Sequence, residues 1–117
     1  MKFSTLTVAT VISGKLLARI DDVYKILDFM TSDAIFTHQI PRAMKTCRPN
    51  LRKQFPDLAA GIDPAAITER TAAAISATII EKFGPELEVA PLPVDEWQPK
   101  DPIEELLEQR QQIEDPE

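Results

Sequence analysis

The stretch Phe36–Phe55, FTHQIPRAMKTCRPNLRKQF, holds the only histidine (His38), the only cysteine (Cys47) and five of the thirteen Lys and Arg residues, with no acid among them. A thiol and an imidazole are the parts of a nucleophile and its base, provided they come within hydrogen-bond reach. Nine residues apart on an element that Pro41 starts, they stand about two and a half helical turns from each other. That separation favours Cys47 as a small core residue and His38 as a packing or capping group, or a partner of a nearby acid such as Asp33. One His and one Cys do not make the clustered ligand set of a zinc site, so no metal is expected. Paired carboxylates recur at Asp21-Asp22, Glu86/Glu88, Asp95-Glu96 and Glu104-Glu105. They fall in exposed patterns or at helix starts, whereas acid–base catalysis needs two carboxylates in different environments facing one pocket. Gly14, Gly61 and Gly84 are the only glycines, and none forms a phosphate-cradling loop. No catalytic residue and no cofactor is therefore expected.

The stronger chemical feature is a surface. Arg42, Lys45, Arg48, Arg52 and Lys53 fall on one arc, beside an apolar stripe of Met44, Cys47, Leu51 and Phe55 that spans about 80° at about 100° per residue. Such an arc can meet phosphates. No aromatic residue interleaves it for base stacking, however, and the chain is acidic as a whole. A protein-binding face, or a solvated face paired with the acidic second half of the chain, are the competing readings. Trp97, between Glu96 and Pro99, is either a clamp holding a connector to the body or an anchor in a partner's surface. These six residues, Arg42, Lys45, Arg48, Arg52, Lys53 and Trp97, are the candidate partner-binding set.

The elements that must position them read as mainly helical. Leu6, Ala9, Ile12 and Leu16 sit at helical intervals after Ser4, a capping residue, and a helix ending near Gly14 is expected despite the β-branched composition. Ile20, Val23, Leu27 and Met30 form one stripe behind Asp21 and Asp22, which suit a helix N-terminus. Pro49, inside the basic segment, is expected to kink or split its helix. Asp63, Pro64 and Gly84-Pro85 punctuate a single alanine-rich helix. Leu87 and Val89 alternate with acids as a short strand. Pro91, Pro93, Pro99 and Pro102 make 91–100 an extended connector. Asp101, Pro102 and Glu104 then open a final acidic helix with a narrow apolar edge of Ile103, Leu106, Leu107 and Ile113. The fold class is a compact domain of four to five helices with one short strand or hairpin (residues 1–90), followed by a Pro-rich arm and acidic helix (residues 91–117).

With 117 residues, 44% of them hydrophobic, the chain is one domain's worth with a modest core. No apolar run reaches membrane-spanning length, and Met1-Lys2-Phe3-Ser4 does not open a secretory signal. A lone cysteine fits a reducing cytoplasm. The net charge of −6 is divided: residues 1–60 carry nine Lys and Arg against five Asp, and residues 61–117 carry four against fourteen acids. The halves can attract each other or face different partners.

The run FMTSDAIFTHQIPRAM, followed by RPNLRKQFPDL, resembles small proteins encoded in tailed-phage and prophage genomes. Their Phe-Thr-His-Gln-hydrophobic-Pro-Arg signature stands here as Phe36, Thr37, His38, Gln39, Ile40, Pro41 and Arg42. TLTVATVISGKLL, DDVYKILDFMT, FGPELEVAPLP and DPIEEL extend the resemblance along nearly the whole chain. The resemblance carries no activity or site with it. It implies a mobile-element protein working inside a bacterial host cell. Small acidic phage proteins without catalytic motifs often bind and block host machinery, CRISPR–Cas complexes included. The expected function is thus a non-enzymatic inhibitor of a bacterial defence complex, such as an anti-CRISPR. The alternative is a phage regulatory or replication accessory protein touching nucleic acid through the basic arc.

Overall fold

The computed structural model describes residues 1–114 and the side chains through Arg110, so the Ile113 side chain and residues 115–117 of the expected acidic arm lie outside the described residues. The fold is mainly helical: α1 (Thr5–Ser13), α2 (Ile20–Thr31), α3 (Ile40–Gln54), α4 (Pro56–Ala60), α5 (Ala72–Phe83) and α6 (Pro102–Glu114). Two short strands, β1 (Lys2–Ser4) and β2 (Glu86–Glu88), pair antiparallel with Phe3 opposite Leu87. The expected short strand therefore exists, and its partner comes from the other end of the chain.

α1 is the centre of the molecule. Thr5 and every residue from Thr7 to Ile12 are buried. A helix enclosed on all sides needs no polar face, so its sequence carries little periodicity. Its β-branched threonines are held by hydrogen bonds: Thr10 Oγ1 donates to the Leu6 carbonyl at 2.8 Å, and Thr5 Oγ1 to the Gly84 carbonyl at 2.6 Å. The Ser4 hydroxyl accepts the Thr7 N–H, and Gly14 closes the helix at φ +76°, a left-handed conformation glycine adopts without strain. α2 and α3 flank it. α2 buries Val23, Ile26, Leu27 and Met30, while Ile20 of the expected stripe is exposed at its first turn. α3 buries Ala43, Cys47 and Leu51, with Met44 and Phe55 half-buried beside them.

Two expectations change. Pro49 does not split α3, which runs through it as one element. Pro49 lies on the exposed side, where water can take the Lys45 carbonyl that it leaves without an N–H partner. The alanine-rich segment is not one helix from Asp63. Asp63 caps only a 3-10 turn, Pro64–Ala66, after which Ile67 takes an extended conformation. α5 starts only at Ala72, after a turn in which Thr68 and Thr71 exchange hydrogen bonds: the Thr71 hydroxyl accepts the Thr68 N–H at 2.8 Å, and the Thr68 hydroxyl accepts the Thr71 N–H at 3.3 Å. The connector 91–100 packs on the body. Leu92 and Trp97 are buried, and the Leu92 N–H bonds to the Met30 carbonyl at 3.0 Å. Gln54 grips Ala90 twice, accepting its N–H at 2.9 Å and donating to its carbonyl at 3.0 Å. The Pro-rich segment is a strap laid over α2 and α3.

Candidate functional site

The strap brings α6 against α3 through a polar cluster. Arg42, in the first turn of α3, places Nη2 2.8 Å from Glu105 Oε1 and Nε 3.0 Å from Oε2, a two-pronged pair. Its Nη1 donates to the Gln98 carbonyl at 2.9 Å, and its guanidinium lies 3.9 Å from the centroid of the Trp97 ring. Trp97 Nε1 donates to Asp33 Oδ2 at 3.0 Å. Gln39 completes the set: Nε2 donates to Glu105 Oε1 at 3.1 Å while Oε1 accepts the Phe36 N–H at 2.9 Å. Glu105 is 4% exposed, and Arg42 closes over it with 26% of its side chain accessible. The hydrogen bond from Arg42 lowers the Glu105 pKa; burial opposes it, and Gln39 together with the charges of Arg42 and Lys100 adds to the lowering.

Two further contacts tie α6 to His38. His38 Nε2 donates to the Pro102 carbonyl at 2.7 Å, and Gln109 Nε2 donates to the His38 carbonyl at 3.0 Å. The consequence for α6 is an inversion. A helix on a protein surface ordinarily buries its apolar stripe. At about 100° per residue, Ile103 and Leu107 lie nearly opposite Glu105. The helix thus turns Glu105 inward and three apolar residues outward, with Ile103 69%, Leu107 51% and Leu106 41% exposed.

The basic arc is divided. Arg42 is consumed by Glu105 and Trp97. Arg48 Nε donates to the Val11 carbonyl at 2.8 Å and Arg52 Nη2 to the Ile12 carbonyl at 3.4 Å. These are last-turn carbonyls of α1, which has no cation in its own last turn; α3 supplies the positive charge that a helix C-terminus attracts. Lys45 and Lys53 are exposed and have no ion-pair partner among the described residues. Trp97 is 5% exposed and clamps the strap, so of the six candidate partner-binding residues, Arg42, Arg48 and Trp97 do internal work, Arg52 does so in part, and two lysines face outward. Sequence reasoning missed Glu105, Gln39 and Asp33 as members of this cluster. The signal available was weak: Glu105 is the acid of its helix that lies opposite the apolar residues.

His38, Cys47 and Asp33 do not share a cleft. The groove beside His38 is lined also by Phe36, Asp101, Pro102, Ile103 and Leu106, and by neither Cys47 nor Asp33. Cys47 is fully buried, and desolvation, with the charge of Glu96 adding, pushes its thiol up to about 12. Roughly one molecule in ten thousand would carry the thiolate at pH 8, so a reagent that needs thiolate should react only through opening of the fold. Iodoacetamide labelling of Cys47 should follow the unfolding rate measured by circular dichroism; rapid labelling of the folded chain would contradict the buried placement. Among the described residues no group of three or more His, Cys, Asp or Glu is placed to hold a metal, and no helix is long and apolar enough to cross a membrane.

Residues 3–61, just over half of the chain, match the family model described as a domain of unknown function, DUF7736. The match runs from β1 through α4 and takes in His38, Gln39 and the arginines of α3; Trp97 and Glu105 lie beyond it. No curated protein and no solved structure matches the chain.

Proposed function

We propose, for a chain that belongs to the DUF7736 family of domains of unknown function, that it acts without catalysis, binding a bacterial protein or ribonucleoprotein complex and blocking it. The observation that carries this reading is the inverted α6. Holding an apolar helix face in solvent opposes the hydrophobic effect, and the Arg42–Glu105 pair with its Trp97, Gln39 and His38 contacts keeps that face outward. A face fixed in advance binds without first losing conformational entropy. The resemblance to phage and prophage proteins supports a defence complex as the partner, with CRISPR–Cas assemblies first among them, in the host cell interior. The nucleic-acid reading loses support because Arg42 and Arg48 are spent on internal partners, leaving a thin positive footprint.

The test is affinity capture with tagged protein from cells running active CRISPR–Cas interference, alongside a plasmid-interference assay. The expected result is stoichiometric capture of an effector subunit and loss of interference on expression. Retained interference with no effector captured would overturn the proposal. Capture of only nuclease-sensitive material, with binding that falls steeply with salt, would replace it with the nucleic-acid reading through Lys45, Arg52 and Lys53.

A further inference from the structure

The outward face of α6 borders a groove of ≈ 490 Å³ between α6 and the 3-10 turn Thr37–Gln39, lined by Phe36, His38, Asp101, Pro102, Ile103 and Leu106. Phe36, at 53% exposure, stands across the groove from Ile103 and Leu106, so apolar side chains project from both banks. Its rim is acidic: Asp101 lines it, and Glu104 is exposed one residue beyond Ile103. The cations of this region are engaged: Lys100 lies 3.5 Å from Glu108, Arg42 holds Glu105, and Arg110 has a partner of its own. His38 spends its Nε2–H on the Pro102 carbonyl.

This charge layout selects among occupants. A second copy of a chain carrying −6 would bring two acidic rims together, and an anionic lipid surface would be repelled in the same way. A segment that is apolar on one side and cationic on the other meets both features. We propose that the groove seats a cationic amphipathic helix of the protein partner. Its apolar side chains enter between Phe36 and Leu106, and its Lys or Arg residues meet Asp101 and Glu104. The inference rests on the binding role proposed above and names the chemistry of the partner's contact.

The test uses the full chain and a labelled synthetic peptide with Leu on one helical face and Lys and Arg on the other, followed by fluorescence anisotropy. A control peptide carries Glu in place of the cations. The cationic peptide should bind and the control should not. Leu106→Glu and Phe36→Ala, both at exposed positions, should each weaken binding about tenfold, near 1.4 kcal/mol, at an unchanged thermal midpoint. Glu104→Lys should weaken it as well, by an amount that shrinks at high salt. Absence of binding by the cationic peptide overturns the proposal. So does binding that Glu104→Lys abolishes while Leu106→Glu and Phe36→Ala leave it intact, since that is surface charge without a groove. Sedimentation showing a wild-type dimer that Leu106→Glu dissolves overturns it in favour of a second copy. In cells the two readings separate. Interference still blocked by Leu106→Glu overturns the groove and spares the inhibitor role. Peptide binding as expected, with interference untouched by the wild type, supports the groove and sinks the inhibitor role.

Discussion

Arg42→Ala is expected to destabilise the fold by about 3 kcal/mol, the low end for breaking a buried ion pair, because Arg42 is partly open to water while Glu105 is not. The substitution strands a carboxylate at 4% exposure with only Gln39 to hydrogen-bond it. It also removes the cation from the face of Trp97 and the donor from the Gln98 carbonyl. For a domain of this size the thermal midpoint should fall by roughly 10–20 °C. Trp97 is the only tryptophan, so its emission reports the strap directly and should shift to the red as the ring gains water. Glu105→Ala should cost less, since the orphaned guanidinium keeps Gln98, the indole face and solvent. Arg42→Met with Glu105→Leu should recover most of the loss, short of about 1 kcal/mol for the unpaired Gln39 amide. An Arg42→Ala chain within about 0.5 kcal/mol of the wild type would show that the pair is no more than a surface contact.

The same pair sets a pH dependence whose sign follows from the lowered Glu105 pKa. The folded chain binds this proton less tightly than the unfolded chain. The stabilisation is therefore complete above the ordinary carboxylate value and is lost as pH falls through the lowered one. Acid should thus loosen the strap from its α6 end, with Trp97 emission moving before the far-ultraviolet helical signal. In Glu105→Gln that early phase should disappear, because nothing at the position titrates.

How far the sequence discloses this arrangement depends on the kind of signal. Caps and stops are local, so Ser4, Gly14, Pro41 and Asp101 are readable where they stand. The stripe of α2 is readable because one face is buried and the other is wet. α1 is harder, since burial on every side removes the contrast on which periodicity depends, and its threonines argue for a strand until their hydroxyls are seen bonded. The break at Ile67 is hidden because Asp63-Pro64 reads as a good helix start, and the Thr68–Thr71 turn that precedes α5 carries no comparable signal. The site is the least legible part. An arc of five cations looks like one surface, yet whether each points at solvent, at a carbonyl or at a carboxylate is decided by elements far along the chain. Arg42 meets a glutamate 63 residues away, and Arg48 a carbonyl 37 residues away. An inverted helix also violates the rule by which orientation is inferred from an apolar stripe, so the way α6 faces is not legible from its own residues.

Trp97→Ala is expected to cost about 3–4 kcal/mol, as for other buried aromatic truncations, whereas Trp97→Phe should cost about 1 kcal/mol. The phenylalanine keeps apolar area beneath Arg42 and gives up the hydrogen bond to Asp33, whose other oxygen still accepts the Ala34 N–H. The alanine leaves a void beneath the strap and frees the guanidinium. Urea unfolding followed by circular dichroism gives the two stabilities. Limited proteolysis locates the damage: cleavage within residues 91–100 should accelerate in Trp97→Ala and stay slow in Trp97→Phe. Equal stability of the two variants would mean that the ring is not what holds the strap. Because α6 reaches the body through this strap, the variants also separate scaffold from surface. Trp97→Phe should bind the partner as the wild type does. Trp97→Ala should bind more weakly although Phe36, Ile103 and Leu106 are untouched, since a face that is no longer held outward must be ordered each time it binds.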